Sequence, residues 1–117
     1  MKRGEIWWAD LGPHRPQEQT GRRPVVIWQN DKLTKVLHSV VIIPLTTNTE
    51  RAGFAGTSLI AASALGPPQD SVALAYQIRT VSKAALESKI RMLDAAEIAD
   101  LEFAAAEAFG GRDIRLN

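Results

Sequence analysis

Ser39-Val40-Val41-Ile42-Ile43-Pro44-Leu45 is a nearly continuous apolar run. A strand without polar alternation is buried on both faces, as in a small closed barrel. Upstream, Arg23 to Gln29 reads as a second apolar strand, with Asn30-Asp31 as the turn that follows it. Before that strand, Gly4 to Leu11 is an Ile- and Trp-rich strand ended by Gly12-Pro13, and residues 12 to 22 form a polar loop. A loop of that length either moves over a site or is merely tolerated at the surface. Downstream, Thr57 to Ala61 is a short strand, Gly66-Pro67-Pro68 a breaker, and Ser71 to Val81 a strand with Gln77 and Arg79 on its polar face. Ser82 is placed to cap a helical turn over Lys83 to Leu86, before a strand near Ser88 to Leu93. Asp94 and Glu97 make a capping box; Ile98, Leu101, Ala105 and Ala108 recur at helical spacing, and Gly110-Gly111 stops the helix. Short strands followed by one terminal helix predict a mainly β fold with some α: a small antiparallel barrel or half-barrel with a C-terminal helix packed on it.

The chain of 117 residues is long enough to bury roughly two-thirds of its unfolded surface, so it needs no disulfide or metal for stability. It divides into a single domain over residues 1–111 and a C-terminal tail over 112–117. The absence of cysteine removes disulfides, thiolate nucleophiles and cysteine zinc sites, and suits a reducing cytoplasm. No apolar stretch approaches a membrane span, and Ile6 to Ala9 is too short for a signal-peptide core. The net charge of +1 hides a split: residues 1–91 hold 12 Lys and Arg against 7 Asp and Glu, while residues 92–117 hold 2 against 6. A basic body is compatible with a polyanionic partner on one face.

Thr20-Gly21-Arg22-Arg23-Pro24-Val25-Val26-Ile27 places two guanidinium groups at the mouth of the second strand. Pro24 pushes Arg23 toward an extended backbone, which gives that side chain a defined direction. A placed guanidinium is suited to phosphate. His14 and His38 are far apart, and no HxH, HExxH or carboxylate cluster accompanies them, so neither a metal site nor a cofactor is expected. The remaining polar residues sit at strand ends: Glu18 and Gln19 in the first loop, Thr46-Thr47-Asn48 after Leu45, and Gln77 and Arg79 late in the chain. Singly, each reads as an ordinary strand-exit or surface residue.

Together, Gly-Glu-Ile-Trp-Trp-Ala-Asp-Leu at 4–11, Glu18-Gln19-Thr20-Gly21-Arg22-Arg23-Pro24-Val25-Val26, Pro44-Leu45-Thr46-Thr47 and Asp70-Ser71-Val72-Ala73 leading to Gln77-Ile78-Arg79-Thr80 resemble the MazF/PemK/Kid family of toxin ribonucleases. The resemblance spans about residues 3 to 109. It implies an SH3-like barrel, a homodimer, metal-independent cleavage of single-stranded RNA at a short sequence, and inhibition by a cognate antitoxin. Residue by residue, it implies Arg23 and Thr46 as catalytic and Glu18, Gln19 and Gln77 as RNA-holding. Thr47, Asn48 and Arg79 join the expected RNA contacts as polar neighbours at the same strand ends. Several family members carry an acid immediately before the late-strand glutamine, where this chain has Tyr76. Strand alternation predicts that the Tyr76 ring is buried on the face opposite Gln77.

Metal-free RNA cleavage uses the ribose 2′-hydroxyl as nucleophile and leaves a 2′,3′-cyclic phosphate and a 5′-hydroxyl. Arg23 suits the charge that gathers on the phosphoryl oxygens, and Thr46 can donate one hydrogen bond; Glu18 or solvent is the expected proton acceptor. Trp7, Trp8 and Trp28 are read as core or dimer-interface residues in preference to base-stacking ones. Three tryptophans and the apolar third strand leave surface for a dimer to cover. Two alternatives stand beside the ribonuclease: a CcdB-like gyrase-poisoning toxin on the same fold, and a catalytically weak RNA-binding module.

Overall fold

In the computed structural model, which describes residues 1–115, the apolar run becomes β3 (Ser39–Thr46), a strand with partners along both sides. β2 (Arg22–Ile27) pairs with one side of it. On the other side, β6 (Arg79–Ser82) takes its first half and β5 (Ser71–Leu74) its end. With β1 (Glu5–Asp10), β4 (Thr57–Ile60) and β7 (Leu86–Met92), the seven-stranded sheet runs β4-β5-β3-β2-β1-β7, with β6 also on β3. All pairings are antiparallel. Among the described residues the ladder does not close into a ring; β4 and β7 are its ends.

Two apolar cores lie on opposite faces of this sheet. Ile43, Leu45 and Val26 enter one, together with Ile6 and with Leu101, Ala104 and Ala105 of the terminal helix α2 (Ala95–Phe109). Val40, Ile42, Val25 and Ile27 enter the other with Ala9, Leu11 and Val81. Successive residues of β2 and β3 thus alternate between two buried environments, which is why neither strand shows polar alternation. The helix starts where the capping box places it: Asp94 accepts from the Glu97 N–H at 2.8 Å and Glu97 from the Asp94 N–H at 2.9 Å. Gly110, left-handed at φ 80°, ends it.

Two local expectations are corrected. Asn30-Asp31 is not a simple turn: Asn30 accepts from the Lys32 N–H and caps α1 (Asp31–Val36). Ser71 to Val81 is not one strand. Between the pairs Leu45↔Ala73 and Ile42↔Arg79, two residues of β3 face five, and the surplus coils into a 3-10 turn over Ala75–Gln77. Pro44, which has no N–H to lend a ladder, sits in that gap.

The expected tail is described as far as Arg115; Leu116 and Asn117 lie outside the described residues. Arg115 turns back onto α2, where its Nε and Nη2 donate to the buried Glu107 carboxylate at 2.7–3.0 Å. The Gly56 N–H donates to the same carboxylate at 3.1 Å, and Arg115 also donates to the Thr57 carbonyl at 3.0 Å, so helix, tail and the approach to β4 are tied at one point. The Arg115 hydrogen bonds bring the Glu107 carboxyl from 4.5 down to about 2. A carboxyl whose pKa is lower in the folded state stabilises fully above its ordinary value, and that contribution is lost as pH falls through the folded one. Acid titration should therefore show wild type losing stability relative to Glu107→Gln between about pH 4.5 and 2. Parallel curves over that window would remove Glu107 as the acid-sensitive tie.

Candidate active site

The register Val25↔Pro44, Val26↔Ile43, Ile27↔Ile42, continued two positions, sets Arg23 across from Thr46. Directly opposed residues of an antiparallel pair share a face, with Cβ atoms roughly 5 Å apart. Two residues 23 positions apart in sequence are thereby brought together at the ends of their strands.

The loop between β1 and β2 holds the Arg23 guanidinium. Arg23 Nε donates to the Thr20 carbonyl at 2.8 Å, and Nη1 donates to Gln19 Oε1 and to the Leu45 carbonyl at 3.2 Å. Gln19 is held in turn, its N–H donating to Gln77 Oε1 at 2.9 Å and its carbonyl accepting from Arg79 at 3.4 Å. Every acceptor on Arg23 is a neutral oxygen. Among the described residues no carboxylate pairs with it and its Nη2 has no partner, while burial pushes its pKa below the usual value. Arginine nonetheless stays charged. The result is an oriented, partly desolvated cation with donors to spare, arranged for an anion. Thr46 Oγ1 accepts from the Asn48 N–H at 3.2 Å, which leaves its own O–H free to donate.

Arg23, Thr46, Thr47 and Gln19 share a groove of about 390 Å³ with Trp8 and Arg22, closed on its far side by Pro67, Pro68 and Gln69. That far wall is fixed. Arg91, itself bidentate to Glu97 at 2.8 and 3.0 Å, donates to the Gly66 carbonyl at 2.7 Å. Gly66 is required there: at φ +103° a Cβ would lie 2.5 Å from Ile90 Cγ2.

The other expected RNA residues fall elsewhere. Glu18, Gln77 and Arg79 line a smaller adjoining pocket with Tyr76, and Glu18 lies 4.0 Å from Arg79. Asn48 lines neither; its side chain accepts from the Glu50 N–H and caps a 3-10 turn over Thr49–Arg51. Tyr76 is corrected outright. It is 43% exposed, and its ring lines the same pocket as Gln77, because a 3-10 turn has no strand alternation. Its phenol oxygen accepts from Arg51 Nη1. Trp8, read from sequence as core or interface, stands on the groove wall. The pairing Trp8↔Pro24 puts it on the face it shares with Arg22, whose guanidinium lies over its ring.

Residues 2–109 match the family model described as "PemK-like, MazF-like toxin of type II toxin-antitoxin system". The chain belongs to this toxin family. Among its PemK/MazF relatives, Endoribonuclease EndoA of Bacillus subtilis is 37% identical over 94 residues, covering 80% of this chain and 81% of that one. Endoribonuclease MazF of Staphylococcus saprophyticus is 35% identical over 115 residues, covering 98% and 96%. The solved Mycobacterium tuberculosis toxin MazF-mt6 superposes with a TM-score of 0.75 at 26% identity, over 91% of this chain and 96% of that one.

Proposed function

We propose that this PemK/MazF family toxin is an endoribonuclease that cuts single-stranded RNA within the Arg23–Thr46 groove. The observation that carries the reading is Arg23: among the described residues, a cation held only by neutral oxygens, half-buried, with Nη2 unspent. The ribose 2′-hydroxyl attacks the adjacent phosphorus, the 5′-oxygen leaves and takes up a proton from solvent to become a 5′-hydroxyl, and a 2′,3′-cyclic phosphate forms. Arg23 stabilises the charge on the phosphoryl oxygens, and the Thr46 O–H donates a further hydrogen bond. Among the described residues no Asp or Glu lines this groove, so the proton of the 2′-hydroxyl passes to solvent. Glu18, the other expected acceptor, belongs to the adjoining pocket with Arg79.

Relatives named endoribonucleases favour this reading over gyrase poisoning. The toxin family supports a cognate antitoxin as partner, and an RNA target supports a cytoplasmic location. No helix among the described residues is long and apolar enough to cross a membrane. Incubation with defined RNAs in the presence of a chelator, with mapping of the cut ends, tests the reaction. Cyclic phosphate and 5′-hydroxyl ends are expected; 3′-hydroxyl ends, or no cleavage, would overturn it.

Tyr76→Phe is expected to hold the cleavage rate within about threefold, because the phenol lies outside the groove and only accepts from Arg51; losing an acid or base typically costs about 100-fold or more. A well-folded Phe variant that falls by that larger factor would move Tyr76 into the machinery. The active form is a homodimer on this reading, for a different reason than expected from sequence. The apolar residues of β3 other than Val41 are buried within the chain, but Phe54, Leu59, Phe109 and Ile114 remain exposed by 52–62% on and around β4, α2 and the tail. Light scattering at micromolar concentration should report a dimer, and Leu59→Glu should shift it toward monomer. A wild-type monomer would sink the proposal.

A further inference from the structure

The three tryptophans are not equivalent. Trp7 packs on one apolar core and donates to Glu5 at 3.1 Å, and Trp28 packs on the other. Trp8 belongs to neither core, and among the described residues its indole N–H has no acceptor. Its surroundings are built by two irregularities. β7 slips register against β1 on each side of Trp7-Trp8, leaving Ile90 and Glu87 as surplus residues. Such bulges re-aim side chains beside functional sites. Glu87 accepts from Arg22 Nε at 2.6 Å, and the Arg22 guanidinium sits 4.3 Å from the Trp8 ring centroid. Ile90, with Leu65, Pro68 and Lys89, lines a second groove that meets the first at Trp8.

The charges sort the two ends of this continuous surface. Arg22 is neutralised by Glu87, and Lys89 by Glu5 at 2.8 Å, whereas Arg23 has no acidic partner among the described residues. One end therefore takes a phosphate, and the other offers a flat, charge-compensated aromatic surface. Resting on the ribonuclease reading, we propose that Trp8, backed by Arg22, is a stacking platform for one unpaired RNA base flanking the scissile phosphate. It is a substrate-binding residue, and single-stranded bases stack on aromatic side chains in this way.

The test is a cycle between protein and RNA. Each base of a cleaved oligoribonucleotide is deleted in turn to an abasic ribose, and wild type is compared with Trp8→Phe and Trp8→Leu, the second filling apolar volume without a ring. At one flanking position the abasic RNA should lose about 10- to 100-fold in kcat/KM with wild type, mainly through KM. Trp8→Leu should lose as much on intact RNA and nothing further on that abasic RNA, and Trp8→Phe should recover most of it. Equal abasic penalties in wild type and Trp8→Leu at every position would overturn the platform. The same cycle, read as binding of an uncleavable 2′-O-methyl oligonucleotide, decides the matter even if no RNA is cut. Failure to bind, or binding without coupling to Trp8, counts against it.

Discussion

Arg23→Ala lowers cleavage by a factor of about 100 to 1,000 and leaves the fold standing, on the proposed mechanism. The activity loss follows from what the guanidinium alone supplies. The groove's other cation, Arg22, is paired with Glu87, and Thr46 offers only a neutral hydroxyl, so a developing phosphoryl charge finds no comparable substitute. The stability loss is small, about 1 kcal/mol, because two of the acceptors left by Arg23, on Gln19 and Thr20, belong to partly exposed loop residues and return to water. The first loop keeps its other ties, including Leu11 N–H to the Gly21 carbonyl at 2.9 Å and Gln19 N–H to Gln77. Arg23→Lys should also be poor. An ammonium cannot engage Thr20, Gln19 and Leu45 while presenting a planar edge to phosphate. The measurements are kcat/KM on a mapped RNA and a thermal melt; near-normal cutting by the Ala variant would take Arg23 out of the site.

The sequence disclosed those features whose causes are local. The capping box of α2 is four residues long, and the two-sided burial of β3 is written in consecutive side chains. What it hid depends on partners distant in the chain. α1 has six residues, too few to display a helical period, so its cap looked like a turn. The expected strand over residues 71–81 breaks because the surplus opposite Ile43 and Pro44 exists only once β5 and β6 share β3. Tyr76 was misplaced for that reason. Trp8 was missed because its role rests on pairing with Pro24 and on bulges in β7, some eighty positions away. Arg23 and Thr46 were named through family resemblance. Their register explains why the family motifs can converge, and it follows from no spacing in the chain itself.

Leu101→Ala should cost about 2–5 kcal/mol, the largest stability loss expected from a single truncation of α2. Leu101 is fully buried and sits in the core shared with Ile6, Val26, Ile43 and Leu45. Its neighbours Ala104 and Ala105 are already small, so the helix is held close to the sheet and its backbone cannot sink further into the space left behind. The cavity therefore remains, and its cost adds to the lost transfer free energy. Marginal domains are stable by about 5–15 kcal/mol, so the variant sits much nearer its unfolding threshold. Urea denaturation should show a lower midpoint with an unchanged slope, as expected when stability falls without a change in the surface exposed. Cleavage per folded molecule should stay near wild type, because α2 supplies no residue to the Arg23–Thr46 groove. A midpoint shift equivalent to under about 1 kcal/mol would mean that the helix relaxes onto the sheet and that the packing described for this core is wrong.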